Sequence, residues 1–167
     1  MQLPRIAFIG SGNMGRALIG GLIRNGADPA HLTVADPSEE QLQLAHSQFG
    51  VRTMVDNTSA VQGAEVVIVA VKPQVMRGTL SALAGVIAQR RALVISVAAG
   101  IRIEAIAAWL NGHERIVRTM RWWIRQHRAG ERRQESTRDQ SHGLQVYGSH
   151  LFPPSYRAAL RVEAAQS

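Results

Sequence analysis

The chain has 167 residues, enough for one full domain with a short appendage, and a formal net charge of +7. It contains no cysteine, which excludes disulfides, thiolate metal sites and thiol nucleophiles. The opening MQLPRIAFIG lacks the charged leader and apolar core of a secretory signal. No apolar stretch approaches the ~20 residues that span a bilayer, so a cytoplasmic protein with no membrane partner is expected. The charge is uneven. Residues 1–120 hold 11 basic and 8 acidic groups, and residues 121–167 hold 8 and 4, so under a third of the chain supplies more than half of the charge.

From residue 5 to 120, short apolar runs alternate with amphipathic segments. Ile6–Ile9 is a compact apolar run ending at glycine and reads as a buried strand. Residues 13–25 follow with Met14, Ala17, Leu18, Gly21 and Leu22 on one helical face, and Gly26 suits the left-handed residue that ends a helix. Leu32–Ala35 reads as a strand and residues 39–48 as a helix, with Pro37 and Ser38 at its start. Residues 65–71 contain VVIVAV, apolar on both faces as in a parallel sheet covered by helices. A helix over 75–88, a strand over 93–97, a short helix over 103–110 and a strand over 115–120 complete the series. Trp109, at helical spacing from Ile106, reads as core. The alternation predicts an α/β fold, a Rossmann-type doubly wound and mainly parallel sheet. After Met120 the periodicity stops. Trp122 and Trp123 sit among six arginines between Arg121 and Arg138, and only residues 156–165 suggest a further short helix. The expectation is therefore a domain over 1–120 and a poorly ordered basic tail over 121–167.

Gly10-Ser11-Gly12-Asn13-Met14-Gly15 fits G-x-G-x-x-G between a strand and a helix. Gly10 permits the tight turn, Gly12 lets a diphosphate approach the backbone, and Gly15 lets the helix pack closely on the strand. The helix N-terminus then faces the diphosphate. A tight turn without a ligand is the plainer alternative. Asp36 ends the second strand, 21 residues after Gly15. A carboxylate there accepts from ribose hydroxyls and favours NADH, or else caps the following helix. A 2′-phosphate needs a compensating cation, for which Arg16 and Arg52 are the candidates. AVKPQ, residues 70–74, ends the most apolar strand, with Pro73 turning the chain. Lys72, the only lysine of the chain, is either an electrostatic partner of a cofactor or an exposed strand-end residue. SVAAG, residues 96–100, presents small residues on which a flat ring can lie, or which merely pack helix on sheet. The six histidines have no metal-ligand spacing, no Ser-His-Asp arrangement stands out, and no catalytic residue or metal ligand is assigned.

IAFIGSGNMGRALIGGL, VVIVAVKPQ, VISVAAGI and RIVRTM occur in that order and at suitable intervals. Together they resemble the N-terminal domain of the pyrroline-5-carboxylate reductase family over residues 5–120. The glycine loop is shared by many dehydrogenases, whereas AVKP followed by S-x-A-A-G and R-x-x-R-x-M is far more specific. The resemblance implies reduction of 1-pyrroline-5-carboxylate to L-proline, the last step of proline biosynthesis, with NADPH or NADH as cofactor. It implies diphosphate contacts at Ile9, Gly10, Ser11, Gly12, Asn13 and Met14. On the adenosine side it implies Ala35, Pro37 and Asn57, beside Asp36. Ala70, Val71, Lys72 and Pro73 continue the crevice, and Val97, Ala98 and Ala99 lie toward the nicotinamide.

The resemblance ends abruptly. Where the family continues into Pro-Asn-Thr-Pro, Met120 is followed by Arg121-Trp122-Trp123. The family's helical domain, which supplies dimerisation and the substrate site, has no counterpart in residues 121–167. A reading-frame change near codon 120 accounts for an arginine-rich, patternless tail. The other account is a genuine basic appendage. Its Trp and Arg residues have the chemistry to stack on bases and meet phosphates, but no nucleic-acid fold accompanies them and a solvated charge run is the plainer reading. An impaired reductase and a non-catalytic nucleotide-binding module are both compatible with these residues, and another imine or hydroxyacid reductase fits the motifs less well.

Overall fold

In the computed structural model, the described residues are 4–119 and the backbone of 145–147. Six parallel strands, β1 (Ile6–Ile9), β2 (Leu32–Ala35), β3 (Arg52–Met54), β4 (Val66–Val69), β5 (Leu93–Ser96) and β6 (Ile116–Arg118), form one sheet with a seventh, β7 (Gln145–Tyr147). The order is β3-β2-β1-β4-β5-β6-β7. The helices are α1 (Asn13–Arg24), α2 (Glu39–Phe49), α3 (Asn57–Gln62), α4 (Pro73–Arg90) and α5 (Ile103–Trp109), with a 3-10 turn at Pro29–His31.

Strand alternation assigns each helix to a face. Ile6 and Phe8 of β1 pack with Ile19 of α1 and Leu42 and Ala45 of α2. Ala7 and Ile9 point the other way, into a cluster with Ala60 and Val61 of α3, Leu80 and Ile87 of α4 and Ile106 of α5. The sheet is thus doubly wound, α1 and α2 on one side and α3, α4 and α5 on the other. All four residues of β1 and of β4 are buried, because a parallel strand covered on both faces has no wet side. Full burial of each large aliphatic side chain here contributes about 1.5–3 kcal/mol. Trp109 is partly buried against the α3–α5 side.

Several elements depart from the sequence reading. The strand expected over 65–71 ends at Val69 and the helix expected from 75 begins at Pro73. The pyrrolidine ring suits the first helical position, where no N–H is needed. The buried face of α1 is Gly15, Ile19 and Gly20, while Met14 is 37% exposed. The glycine turn sets the rotation of this helix by pressing Gly15 to the strand, which the apolar pattern alone does not encode. Gly26 does take the left-handed conformation, at φ 91°. β3, α3 and β7 were not expected. β7 lies in the segment read as patternless and pairs antiparallel with β6, Ile116 opposite Tyr147. It covers an edge whose backbone groups would otherwise lack partners. The remaining expectations for the tail, including the helix over 156–165, fall outside the described residues. Among the described residues no helix is long and apolar enough to cross a membrane.

Candidate functional site: the crevice at the strand ends

Register brings the site together. Ile9 pairs with Ala35 and with Val69, Ala35 with Met54, and Val69 with Ser96. The residues that follow therefore leave the sheet at one level: Gly10, Asp36, Ala70 and Val97. Backbone bonds hold that row, from Gly10 N to Ala35 O (2.8 Å), Ala70 N to Ile9 O (2.8 Å) and Val97 N to Val69 O (3.2 Å). β1 has β2 on one side and β4 on the other. The chain reverses direction across the sheet here, and doubly wound folds open their crevice at that point.

Each motif glycine has its own physical reason. Gly10 has φ 95°, and a Cβ on it would lie 2.9 Å from the Ala70 carbonyl oxygen. A Cβ on Gly15 would lie 2.5 Å from the Gly10 carbonyl oxygen. A Cβ on Gly12 would meet no atom of the described residues within 4 Å. Gly10 and Gly15 are thus required by the protein's own backbone, whereas nothing among the described residues requires Gly12. Helix α1 also begins without a side-chain cap, with Gly12 at its N-cap. Its first-turn N–H groups therefore receive no side-chain cap among the described residues, which leaves them available to an anion. Asn13 and Met14 form that turn.

Asp36 is not the cap of the following helix, one of the two roles the sequence offered for it. The cap of α2 is Ser38, whose hydroxyl accepts from Gln41 N at 3.4 Å. Asp36 instead joins two loops. Its Oδ2 accepts from Ser11 N (2.8 Å) and Ser11 Oγ (3.0 Å), and its Oδ1 accepts from Ser38 N (2.9 Å). Ser11 is fully buried, and this carboxylate satisfies it. Arg16 crosses from α1 to α2. Its Nη1 donates to Ser11 O and to Gln41 Oε1, and its Nη2 to Asn13 Oδ1 at 2.9 Å. Arg52 lies level with Thr33, two residues short of the carboxyl end of β3. Of the two candidate cations, only Arg16 stands at the crevice. This network was not foreseen, since it joins residues 25 apart in the chain.

The remaining candidates line the same rim. Ala35 is the last residue of β2 and fully buried, and Pro37 is exposed. Asn57 opens α3, and its Oδ1 is buried with no hydrogen-bond partner among the described residues. A buried acceptor left unpaired is costly unless a ligand donates to it. Asp56, before it, caps α3, and its carboxyl is held below the ordinary value by hydrogen bonds from Ser59. Val71 is half-buried, while Lys72 is exposed at the N-cap of α4 and makes no capping bond. Val97 and Ala98 are buried and Ala99 is exposed. Ser96, buried beneath them, has its Oγ 3.4 Å from Ala98 N and accepts that bond. Among the described residues no group of acidic or histidine side chains could hold a metal ion.

A doubly wound parallel sheet, a glycine turn opening an uncapped helix, and small residues at the neighbouring strand ends define a Rossmann-type α/β domain. Residues 5–100 match the family described as NADP oxidoreductase, coenzyme F420-dependent, and the chain belongs to that family. It is 41% identical over 120 residues to a pyrroline-5-carboxylate reductase of Pseudomonas aeruginosa, covering 72% of this chain and 44% of the relative. It is 36% identical over 117 residues to that of Escherichia coli, covering 70% and 43%. Among solved structures, a pyrroline-5-carboxylate reductase from Coxiella burnetii superposes with a TM-score of 0.68 at 38% identity, covering 70% of this chain and 43% of that one. The chain thus spans less than half the length of the relatives it matches.

Proposed function

We propose that this chain binds NADPH or NADH in the crevice and belongs to an enzyme that reduces 1-pyrroline-5-carboxylate to L-proline in the cytoplasm, with residues 1–120 as the cofactor domain. The observation that carries the reading is the similarity to pyrroline-5-carboxylate reductases over 120 residues, which takes in every motif of the crevice. The bound dinucleotide supplies the hydride that adds to the imine carbon. The chain's residues hold and orient it. Gly12, Asn13 and Met14 offer first-turn N–H groups to the diphosphate, with Ile9, Gly10 and Ser11 shaping the turn behind them. Asn57, Ala35, Asp36 and Pro37 flank the adenosine side. Ala70, Val71, Lys72 and Pro73 form the far wall, and Lys72 adds positive charge near the diphosphate. Val97, Ala98 and Ala99 leave room for the flat nicotinamide ring.

A second reading is a module that holds the dinucleotide without turnover, since every candidate residue of the crevice, from Ile9 to Ala99, is assigned to the cofactor and none to the imine. One preparation separates the two. The full chain is titrated with NADPH, and NADPH oxidation is then followed with 1-pyrroline-5-carboxylate added. Binding with turnover supports the reductase. Binding without turnover supports the module. Absence of binding overturns both.

A further inference from the structure

A free carboxylate at the end of β2 is the usual acceptor for a ribose 2′-hydroxyl, and its charge repels a 2′-phosphate. Asp36 is not free in this way. Three donors of its own chain, Ser11 N, Ser11 Oγ and Ser38 N, already sit on its two oxygens. Those bonds offset its charge and fasten the glycine loop to the β2–α2 loop. The neighbouring cation is in the opposite condition. Arg16 is half-buried, and its partners among the described residues are Ser11 O, Gln41 Oε1 and Asn13 Oδ1, all neutral oxygens. Gln41 lies in the first turn of α2, capped by Ser38. The guanidinium therefore spans the two helix starts beside the loop of residues 36–38, on the adenosine side of the crevice. Exposed Glu39 and Glu40 stand on the same turn of α2. A phosphate dianion outcompetes neutral acceptors for a guanidinium, which meets it with paired N–H groups.

Building on the cofactor reading above, we propose that Arg16 reads the ribose 2′ position. It turns from its neutral partners to a 2′-phosphate, and Asp36 acts as a positioning residue for the glycine loop. The site then takes NADPH in preference to NADH, the reverse of what an acidic residue at the end of β2 suggests in the sequence.

The test is equilibrium binding of NADP+ and of NAD+ to the full chain by calorimetry, without turnover. Wild type is expected to bind NADP+ more tightly. In Arg16→Met, NADP+ affinity falls by about tenfold or more, the worth of a charge-assisted pair, while NAD+ affinity stays within about twofold. In Asp36→Ala both affinities fall by a similar factor, because a loosened glycine loop affects the diphosphate that both share. An unchanged NADP+/NAD+ ratio in Arg16→Met overturns the assignment, as does tighter binding of NAD+ by wild type or a loss confined to NAD+ in Asp36→Ala. Wild type binding neither dinucleotide overturns the cofactor reading and this one together. If Arg16→Met fails to melt cooperatively, wild type decides by competition. Adenosine 2′-monophosphate must then displace NADP+ more strongly than adenosine 5′-monophosphate, and equal displacement overturns the proposal.

Discussion

Gly12 and Gly15 lie three residues apart and are constrained by different things. Replacing Gly15 with Ala places a methyl group 2.5 Å from the Gly10 carbonyl oxygen, a backbone atom that cannot swing aside. Alanine's advantage in a helix is worth about 1 kcal/mol, and overpacking of this kind costs about 3 kcal/mol. The net expectation for Gly15→Ala is a loss of about 2 kcal/mol, read as a lower midpoint in urea unfolding. Gly12→Val should lower that midpoint by less than Gly15→Ala, by the modest loss of a poorer N-cap, about 0.5–1 kcal/mol, since a Cβ there meets no atom of the described residues within 4 Å. The same substitution should abolish NADP+ binding in a calorimetric titration, because the side chain fills the approach to the first turn of α1. A larger fall in stability with binding retained would mean that the space beside Gly12 serves packing. This part of the site was legible in the sequence because each glycine answers a steric demand at a fixed spacing. The bonds of Asp36 to Ser11 and of Arg16 to Gln41 were not. They follow from the register of β1 on β2 and from the rotation of α1, neither of which a local pattern carries.

Helix α2 is an element whose start is set by one side chain. Ser38 Oγ accepts from Gln41 N at 3.4 Å, and Glu39 and Glu40 follow in the first turn. Those carboxylates interact favourably with the dipole, so the helix does not depend on the cap alone. The long hydrogen bond places Ser38→Ala at the low end of capping losses, about 0.5–1 kcal/mol, measurable as a shift in the chemical denaturation midpoint. A loss well above that range would mean that Ser38 also secures Asp36 through its own N–H, and that the β2–α2 loop moves as a unit. Strands β1, β2, β4 and β5 could be read from sequence because their four-residue runs are buried on both faces, apart from half-buried Thr33 and Ile95. β3 could not, since Arg52 is exposed and Thr53 and Met54 are only half-buried. Three residues are too few to show a period. The six residues of α3 are likewise shorter than two helical turns, and its signal is the Asp56 cap rather than an apolar stripe.

Across the whole molecule, the link from α5 into β6 is tied back to the start of β5 by one imidazole. His113 follows Gly112, at φ 81°, and its Nε2–H donates to Ala92 O at 2.8 Å. Burial lowers its pKa below the ordinary 6.5, and Arg115 lowers it further, while the bond to Ala92 and the charge of Glu114 oppose them. The sign follows from proton counting. Between the lowered folded value and 6.5 the unfolded chain binds more protons than the folded one. The contribution of neutral His113 is therefore fully present above about pH 6.5 and is lost as pH falls toward the folded value. Asp56, whose pKa is also lowered, acts in a separate window below its ordinary 3.8. Unfolding free energy measured from pH 8 to pH 5 should decline as pH drops through the histidine window. His113→Gln retains a donor for the Ala92 carbonyl but cannot titrate, so that decline should flatten. An equal slope in the variant would assign the pH dependence to groups other than His113. A variant that is less stable at every pH with the slope gone would show that the imidazole also contributes packing between α5 and the sheet.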